Sequence, residues 1–412
     1  MAHDPTPVSD SLPISADDVR AAAVAIGDAV KRTPMEHSKT LSAITGADCY
    51  LKFEIFQFTA TYKERGALNK LLSLPAETRG VIAMSAGNHA QGVSYHAARL
   101  GIPATIVMPA GTPFNKIKST EELGARVVLS GGSLEEANKA AAEIAEKEGL
   151  TFIHPYDDPL VMAGQGTVGL EMLEDVPDLD ILLVPVGGGG LIAGMATIAK
   201  AMNPDIHLVG VQTEAYPSMK RAMDGVTEVH GGVTIAEGIA VAQAGTNTQA
   251  VVGAHVDEIL TVPEARMEAA IVTMMEIEKI VVEGAGATSL AALQNYPERF
   301  RGKKVGMVLT GGNIDLRLLA SAIMRGLARD GRINRFRITM LDQPGSLARV
   351  TAVVAQVGAN VIEVQHQREF GAISLKMTEM ELVVETKDRA HADRLRTALE
   401  EQGFQVESAR TV

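Results

Sequence analysis

Between residues 81 and 309, short apolar, β-branched runs alternate with alanine-rich stretches of helical period, and this rhythm constrains the fold more than any other feature of the chain. The run 81–84 precedes a helical pattern at 88–100, 104–108 precedes 113–123, and 126–129 precedes 133–148. Each run is bounded by Gly or Pro. Ile181-Leu182-Leu183-Val184 carries no polar alternation, as a strand covered on both faces requires. Repeated βα units of this kind predict an α/β fold with open parallel sheets and helices on both sides. The runs 208–211 and 305–309 continue and close the pattern, so one α/β region is expected over 1–331, ending at the Gly331 turn. Ahead of it, Ser15 followed by two acids is a capped helix start.

After Gly331 the order changes. Strands are expected at 336–341, 360–367, 373–384 and 404–408, with helices at 345–356 and 388–402. A βαββαβ unit of this size is a small ferredoxin-like domain, placed at 334–412. The residues 1–7 read as a disordered lead-in without the basic and apolar blocks of a signal, and no run approaches the length needed to cross a bilayer. The single cysteine, Cys49, excludes an internal disulfide and fits a reducing cytoplasm. Fifty acidic against 38 basic residues give a net charge of -12, which disfavours nucleic acid and anionic membranes as partners and leaves a small-molecule enzyme as the default.

Four segments carry candidate chemistry. Thr61-Tyr62-Lys63-Glu64-Arg65-Gly66-Ala67 sets a lysine beside a hydroxyl and an Arg-Gly-Ala; the plain alternative is a solvated charge cluster at a helix start. Ser85-Ala86-Gly87-Asn88-His89 lies between a strand and a helix, where free amides can hold a carboxylate, the alternative being that Asn88 serves only as a cap. Gly187-Gly188-Gly189-Gly190-Leu191, again between strand and helix, lets consecutive N–H groups converge on a phosphate. With no Gly-Lys-Ser/Thr, and without the Gly-x-Gly-x-x-Gly of a dinucleotide binder, it suits a phosphate monoester better than a nucleotide. Thr310-Gly311-Gly312-Asn313 ends the last strand of the region.

In order, spacing and setting these segments resemble the threonine ammonia-lyases (threonine dehydratases), pyridoxal-phosphate enzymes of fold-type II. That resemblance implies the two-lobed, tryptophan synthase β-like fold and pyridoxal 5'-phosphate as cofactor. It makes Lys63 the Schiff-base lysine and catalytic base, with Ser85 also catalytic. It assigns Asn88, Gly187, Gly188, Gly189, Gly190, Leu191 and Thr310 to the cofactor, and Thr61, Ser85, Ala86, Gly87 and Asn88 to the amino-acid substrate. Asn88 is placed nearest the ring hydroxyl. Thr310, a hydroxyl in place of a carboxylate, faces the pyridine nitrogen and tunes the cofactor toward β-elimination. The reaction implied is dehydration and deamination of threonine to 2-oxobutanoate and ammonia, with serine giving pyruvate. Other β-hydroxy amino acids, of phenylserine or hydroxyaspartate type, and serine racemisation are the alternatives, together with a non-enzymatic amino-acid sensor built on an inactive lobe. Ala86 stands where the racemase branch has a serine. Ala60-Thr61-Tyr62 departs from the family's Gly-Ser-Phe, and Ala236-Glu237-Gly238 from its Ala-Asp-Gly. No metal site is assigned.

Asp342-Gln343-Pro344-Gly345-Ser346-Leu347 resembles the first strand-to-helix loop of an ACT regulatory domain. The resemblance implies an effector site at Asp342, Gly345, Leu347 and, across a module interface, Asn360, with isoleucine or valine as effector. A homo-oligomer, dimer or tetramer, is expected. An assembly element without ligand is the alternative.

Overall fold

The apolar runs become strands almost where they stand in the sequence, and the central ones bury both faces under helices. The computed structural model describes residues 12–226, 231–367 and 374–408, so the lead-in expected at 1–7 lies outside the described residues. Its strands are β1 (Met35–His37), β2 (Asp48–Lys52), β3 (Val81–Met84), β4 (Ala104–Met108), β5 (Arg126–Leu129), β6 (Thr151–Phe152), β7 (Ile181–Pro185), β8 (His207–Thr213), β9 (Glu258–Val262), β10 (Lys304–Val308), β11 (Ile333–Leu341), β12 (Asn360–Gln367), β13 (Met377–Glu385) and β14 (Gln405–Ser408). They fall into two units, Met1–Ile314 and Asp315–Val412.

The first unit holds two sheets. One runs β1-β2-β10-β7-β8-β9 and is parallel except for the antiparallel edge pair β1 and β2. The other runs β5-β4-β3-β6 and is parallel throughout. Every residue of β4 and of β7 is buried. The helices Lys63–Leu72 and Pro159–Asp175 cross closely enough that a Cβ on Gly66 would lie 2.5 Å from Gln165 Nε2, and one on Gly164 2.7 Å from the Arg65 carbonyl oxygen. The two sheets and their helices are the two-lobed parallel-sheet α/β fold expected. Chain segments leaving the carboxyl ends of β2, β3, β7 and β10 lead to all four candidate segments, the end of an open α/β sheet where ligands bind.

After its first helix, Leu316–Arg329, the second unit has the order strand, helix, strand, strand, helix, strand, in an antiparallel sheet β12-β13-β11-β14. Phe336, Ile338 and Met340 of β11 and Met380, Leu382 and Val384 of β13 pack with Val350 and Val354 of helix Ser346–Val357 and Leu395 and Leu399 of helix Arg389–Glu401. The opposite face is charged, with Arg337 3.5 Å from Glu379 and 3.4 Å from Glu381. The strand expected from 373 begins at Met377; Ile373 lies outside the described residues. The unit starts before helix Leu316–Arg329, whereas composition put the division at Gly331. The helix belongs with the second unit because its end is tied there: Arg389 donates to the Arg329 carbonyl at 2.7 Å, and Asn334 to that of Gly331 at 2.9 Å.

Candidate active site

Lys63 opens its helix, and the segment before it is zipped to the end of β10. The Tyr62 N–H donates to the Thr310 carbonyl at 3.2 Å, the Gly312 N–H to that of Ala60 at 3.0 Å, and Thr61 forms a β-bridge with Gly311. The Lys63 Nζ donates to the Pro155 carbonyl at 2.7 Å and lies 5.4 Å from the centre of the Tyr62 ring. Burial, opposed in part by the charge of Glu283, pushes the Lys63 amine down to about 8.

The charges that follow Lys63 are not a solvated cluster. Arg65 is 1% exposed and reaches Glu54 at 2.8 Å and Glu171 at 2.6 Å, while Lys52 reaches Glu171 at 2.6 Å. Glu64 accepts from the Thr59 hydroxyl at 2.7 Å, with His96 Nε2 at 3.3 Å. This paired, buried network locks the helix that carries the lysine.

Asn88 is not a cap. The cap position of helix Asn88–Arg99 is Gly87, and no side chain caps its amides. The Asn88 Nδ2 donates to Glu283 Oε1 at 2.8 Å, and its Oδ1 accepts from Asn313 Nδ2 at 2.8 Å. The Ser85 hydroxyl accepts from the Gly87 N–H at 3.2 Å. His89 Nε2 lies 2.9 Å from the Ile153 carbonyl, which fixes it as the donor. Burial and Lys63 push that imidazole down to about 3, so it is neutral.

The turn after β7 enters helix Gly190–Met202 through Gly189 at φ 100°, with no side-chain cap on the helix amides. A Cβ on Gly188 would lie 2.4 Å from the Tyr156 ring, and one on Gly189 2.4 Å from Met219. Leu191 is buried behind them. Tyr156 belongs to a braced turn. His154 Nδ1 accepts the N–H of Asp157 at 2.8 Å, and Asp157 accepts the first amides of helix Thr246–His255 from Thr246, Asn247 and Thr248 at 3.0, 2.9 and 3.1 Å. The Thr310 hydroxyl is buried with no hydrogen-bond partner among the described residues.

Contacts through Pro155, Tyr156, Gly238 and Gly311 therefore bring Lys63, Thr61, Asn88, the four glycines and Thr310 together at one place, with the Ser85-Ala86-Gly87 loop leading into Asn88. Motif reading missed Glu283, which is 8% exposed and which burial raises to about 7. It also gave no ligand role to Asn313, and it did not reach the brace that His154 and Asp157 form. The residues assigned to an effector belong to the second unit. Gly345, at φ 92°, has nothing within 4 Å of where a Cβ would stand, and Leu347 is 41% exposed. Asn360 does not join them within one chain. It pairs with Glu385, which pairs with Ile333, whereas Asp342 follows the other end of β11, roughly 27 Å away at about 3.4 Å per residue.

A family model described as pyridoxal-phosphate dependent enzyme matches residues 26–311. The L-threonine ammonia-lyase of Thermotoga maritima is 43% identical over 397 residues, 95% of this chain and 99% of that protein. The catabolic L-threonine dehydratase of Staphylococcus aureus is 44% identical over 325 residues, 76% of this chain and 93% of that one. Among solved structures, maize serine racemase superposes with a TM-score of 0.72 at 33% identity, covering 77% of this chain and 99% of that chain.

The cleft fits the cofactor this family uses. It offers a primary amine held near neutrality, a cradle of glycines at an uncapped helix N-terminus for a phosphate ester, and an orphaned, buried hydroxyl at Thr310. The chain belongs to the pyridoxal-phosphate-dependent enzyme family, of which the threonine ammonia-lyases are close relatives.

Proposed function

We propose that this protein is a threonine ammonia-lyase, converting L-threonine to 2-oxobutanoate and ammonia and serving serine as a slower substrate. The observation that carries the reading is the convergence of a Lys63 amine lowered to about 8 with the glycine cradle and a neutral hydroxyl at Thr310. Bound pyridoxal phosphate supplies an electron sink for the substrate Cα. The remaining work falls to the chain. Lys63, its amine lowered by burial to about 8, takes the proton from Cα in its uncharged form. The loop Ser85-Ala86-Gly87 and the uncapped start of the helix at Asn88, with the Ser85 hydroxyl that accepts from the Gly87 N–H, receive the substrate carboxylate. Asn88 contacts the ring oxygen of the cofactor, Gly187, Gly188, Gly189, Gly190 and Leu191 its phosphate, and Thr310 its ring nitrogen. Thr61 lines the substrate side.

Racemisation is the second reading, favoured by the likeness to serine racemase. It requires a second acid on the face opposite Lys63, and Ala86 has no proton to give. Incubating the purified protein with threonine, serine, phenylserine and hydroxyaspartate, and assaying 2-oxo acids and D-serine, separates these readings. Threonine should have the highest kcat/KM, and Lys63→Ala should abolish both turnover and the visible absorbance of the bound cofactor. Dominant D-serine formation would overturn the lyase reading, and near-normal turnover by Lys63→Ala the lysine assignment.

The second unit is proposed as an ACT-like regulatory domain that binds isoleucine or valine at Asp342, Gly345 and Leu347. A site that also uses Asn360 takes it from another copy, which supports a homo-oligomer, dimer or tetramer. The catalytic and regulatory domains are proposed to divide near Asp315. Isoleucine biosynthesis in the cytoplasm is the setting proposed; no helix among the described residues is long and apolar enough to cross a membrane. Isoleucine or valine should shift the threonine saturation curve, an effect absent from a chain ending at Ile314.

A further inference from the structure

Glu283 sits in the wall of the cleft as a buried carboxylate without an ion-pair partner among the described residues. It immediately precedes helix Gly284–Asn295 but caps none of that helix's amides with its side chain. The backbone N–H of Glu283 donates to the Gly311 carbonyl at 3.0 Å, which turns the side chain inward. A slot has been left for it by two glycines from distant segments. A Cβ on Gly311 would lie 2.6 Å from Glu283 Oε1, and one on Gly238 3.0 Å from the same atom. The Ala236-Glu237-Gly238 segment thus acquires a reason for its glycine.

The carboxylate determines how Asn88 is presented. A carboxylate oxygen accepts, so the side of the Asn88 amide facing Glu283 at 2.8 Å is its nitrogen. On the other side Asn313 Nδ2, which also donates to the Thr59 carbonyl at 2.8 Å, faces the Asn88 oxygen at 2.8 Å. Acceptor on one side and donor on the other leave one orientation of the amide, with its second N–H unused. A donor is what an anionic ring oxygen requires.

We propose that Glu283 is a positioning residue which fixes Asn88 as a hydrogen-bond donor to the ring oxygen of the cofactor. The inference rests on the assignment of Asn88 to that oxygen. Around the carboxyl group stand Lys63 and Tyr62 at the lysine helix, Lys116 on helix Phe114–Glu122, and Glu237, which is ion-paired with Lys116. The opposed charges of Lys116 and Glu237 largely offset each other at Glu283, so burial decides its state. Burial raises the carboxyl to about 7, and Asn88 stands between it and the ring oxygen, two hydrogen bonds in all.

The test compares holoenzymes of wild type, Glu283→Ala, Glu283→Gln and Asn88→Ala by pH titration of the cofactor's visible absorbance and by its retention on dialysis. Glu283→Ala should weaken retention on the order of tenfold, the scale of one charge-assisted hydrogen bond, and alter the spectrum in the same sense as Asn88→Ala. Glu283→Gln keeps an acceptor for Asn88, so retention should stay within about twofold of wild type while the inflection near neutral pH disappears. If Asn88→Ala changes both readouts and neither Glu283 variant does, the proposal fails and the Asn88 assignment stands. If Asn88→Ala changes nothing, the assignment fails and takes the proposal with it. Should Glu283→Ala not fold, Glu283→Leu, which fills the slot but offers Asn88 no acceptor, decides: wild-type retention and spectrum in that variant overturn the proposal.

Discussion

The turn after β7 and the turn after β11 both enter a helix through a glycine in left-handed backbone, Gly189 at φ 100° and Gly345 at φ 92°, and neither helix is capped by a side chain. Their surroundings differ. Around the first, Tyr156 and Met219 occupy the space a Cβ would need, within 2.4 Å of its position at Gly188 and Gly189. Around the second, nothing stands within 4 Å of the corresponding point on Gly345. A strand, a glycine and a helix N-terminus supply free amides in both places, but only the first has walls, a braced turn and an orphaned hydroxyl to make those amides selective. In a single chain the second turn has none of these around it.

The most forceful way to break this comparison is to add one methyl group to each turn. Gly188→Ala drives a carbon into the Tyr156 ring and should cost about 2–3 kcal/mol, with cofactor retention falling by roughly 100-fold. Gly345→Ala meets no neighbour, so only its backbone is strained, by about 1–2 kcal/mol, with cofactor retention unchanged. Thermal melts and dialysis of both variants decide. Equal loss of cofactor would mean that enclosure does not distinguish the two turns.

A pH dependence should belong to the first site. Burial raises the Glu283 carboxyl from 4.5 to about 7, so the folded state favours its protonated form. Its contribution is fully present below pH 4.5 and is lost as pH rises through about 7, by at most about 3 kcal/mol. Denaturant melts of the cofactor-free protein between pH 5 and 8 should therefore show wild type losing stability relative to Glu283→Gln as pH rises. Parallel curves would show that the carboxyl does not titrate in that range. The brace of the first turn comes next in size. Asp157→Ala removes the acceptor for three amides at the start of helix Thr246–His255 and should cost about 1–2 kcal/mol, with some cofactor lost because Tyr156 is released.

Much of this was readable from the sequence where one segment carries the information. The runs 81–84 and 104–108 are strands at those bounds because an unbroken apolar run buries both faces, and 126–129 keeps its bounds as a partly exposed edge strand. Lys63 and the glycine turn were readable because each motif is contiguous. Glu283 was not, since a lone acid before a glycine acquires meaning only when the ends of β3 and β10 bring Asn88 and Gly311 to it. Asn360 was readable as a strand start, yet only the antiparallel register places it at the far end of the sheet from Asp342. Helix Leu316–Arg329 has an apolar face that either unit could bury, and the hydrogen bonds from Arg389 and Asn334 that tie its end to the second unit are tertiary.

The smallest effect tests the same contrast from the other direction, at a left-handed position that lacks a glycine. Ala60, in the segment that departs from the family's Gly-Ser-Phe, has φ 53°, with its N–H donating to the Gln57 carbonyl at 2.9 Å and its carbonyl accepting the Gly312 N–H at 3.0 Å. Those bonds tie it between the lysine segment and the end of β10, so the chain cannot relax it. The left-handed backbone costs an alanine about 1–2 kcal/mol, and a glycine there gives back about 0.5–1 kcal/mol through the freedom of the unfolded chain. Ala60→Gly should therefore raise stability by roughly 0.5–1 kcal/mol, a few degrees or less in Tm for a chain of this size. It is the mirror of Gly345→Ala, which introduces the strain that Ala60→Gly removes. Melting the two variants beside wild type measures the backbone term at both turns. If Ala60→Gly lowers Tm, the contacts of the half-buried Ala60 methyl outweigh the strain, and the departure is better explained as a packed wall of the cleft.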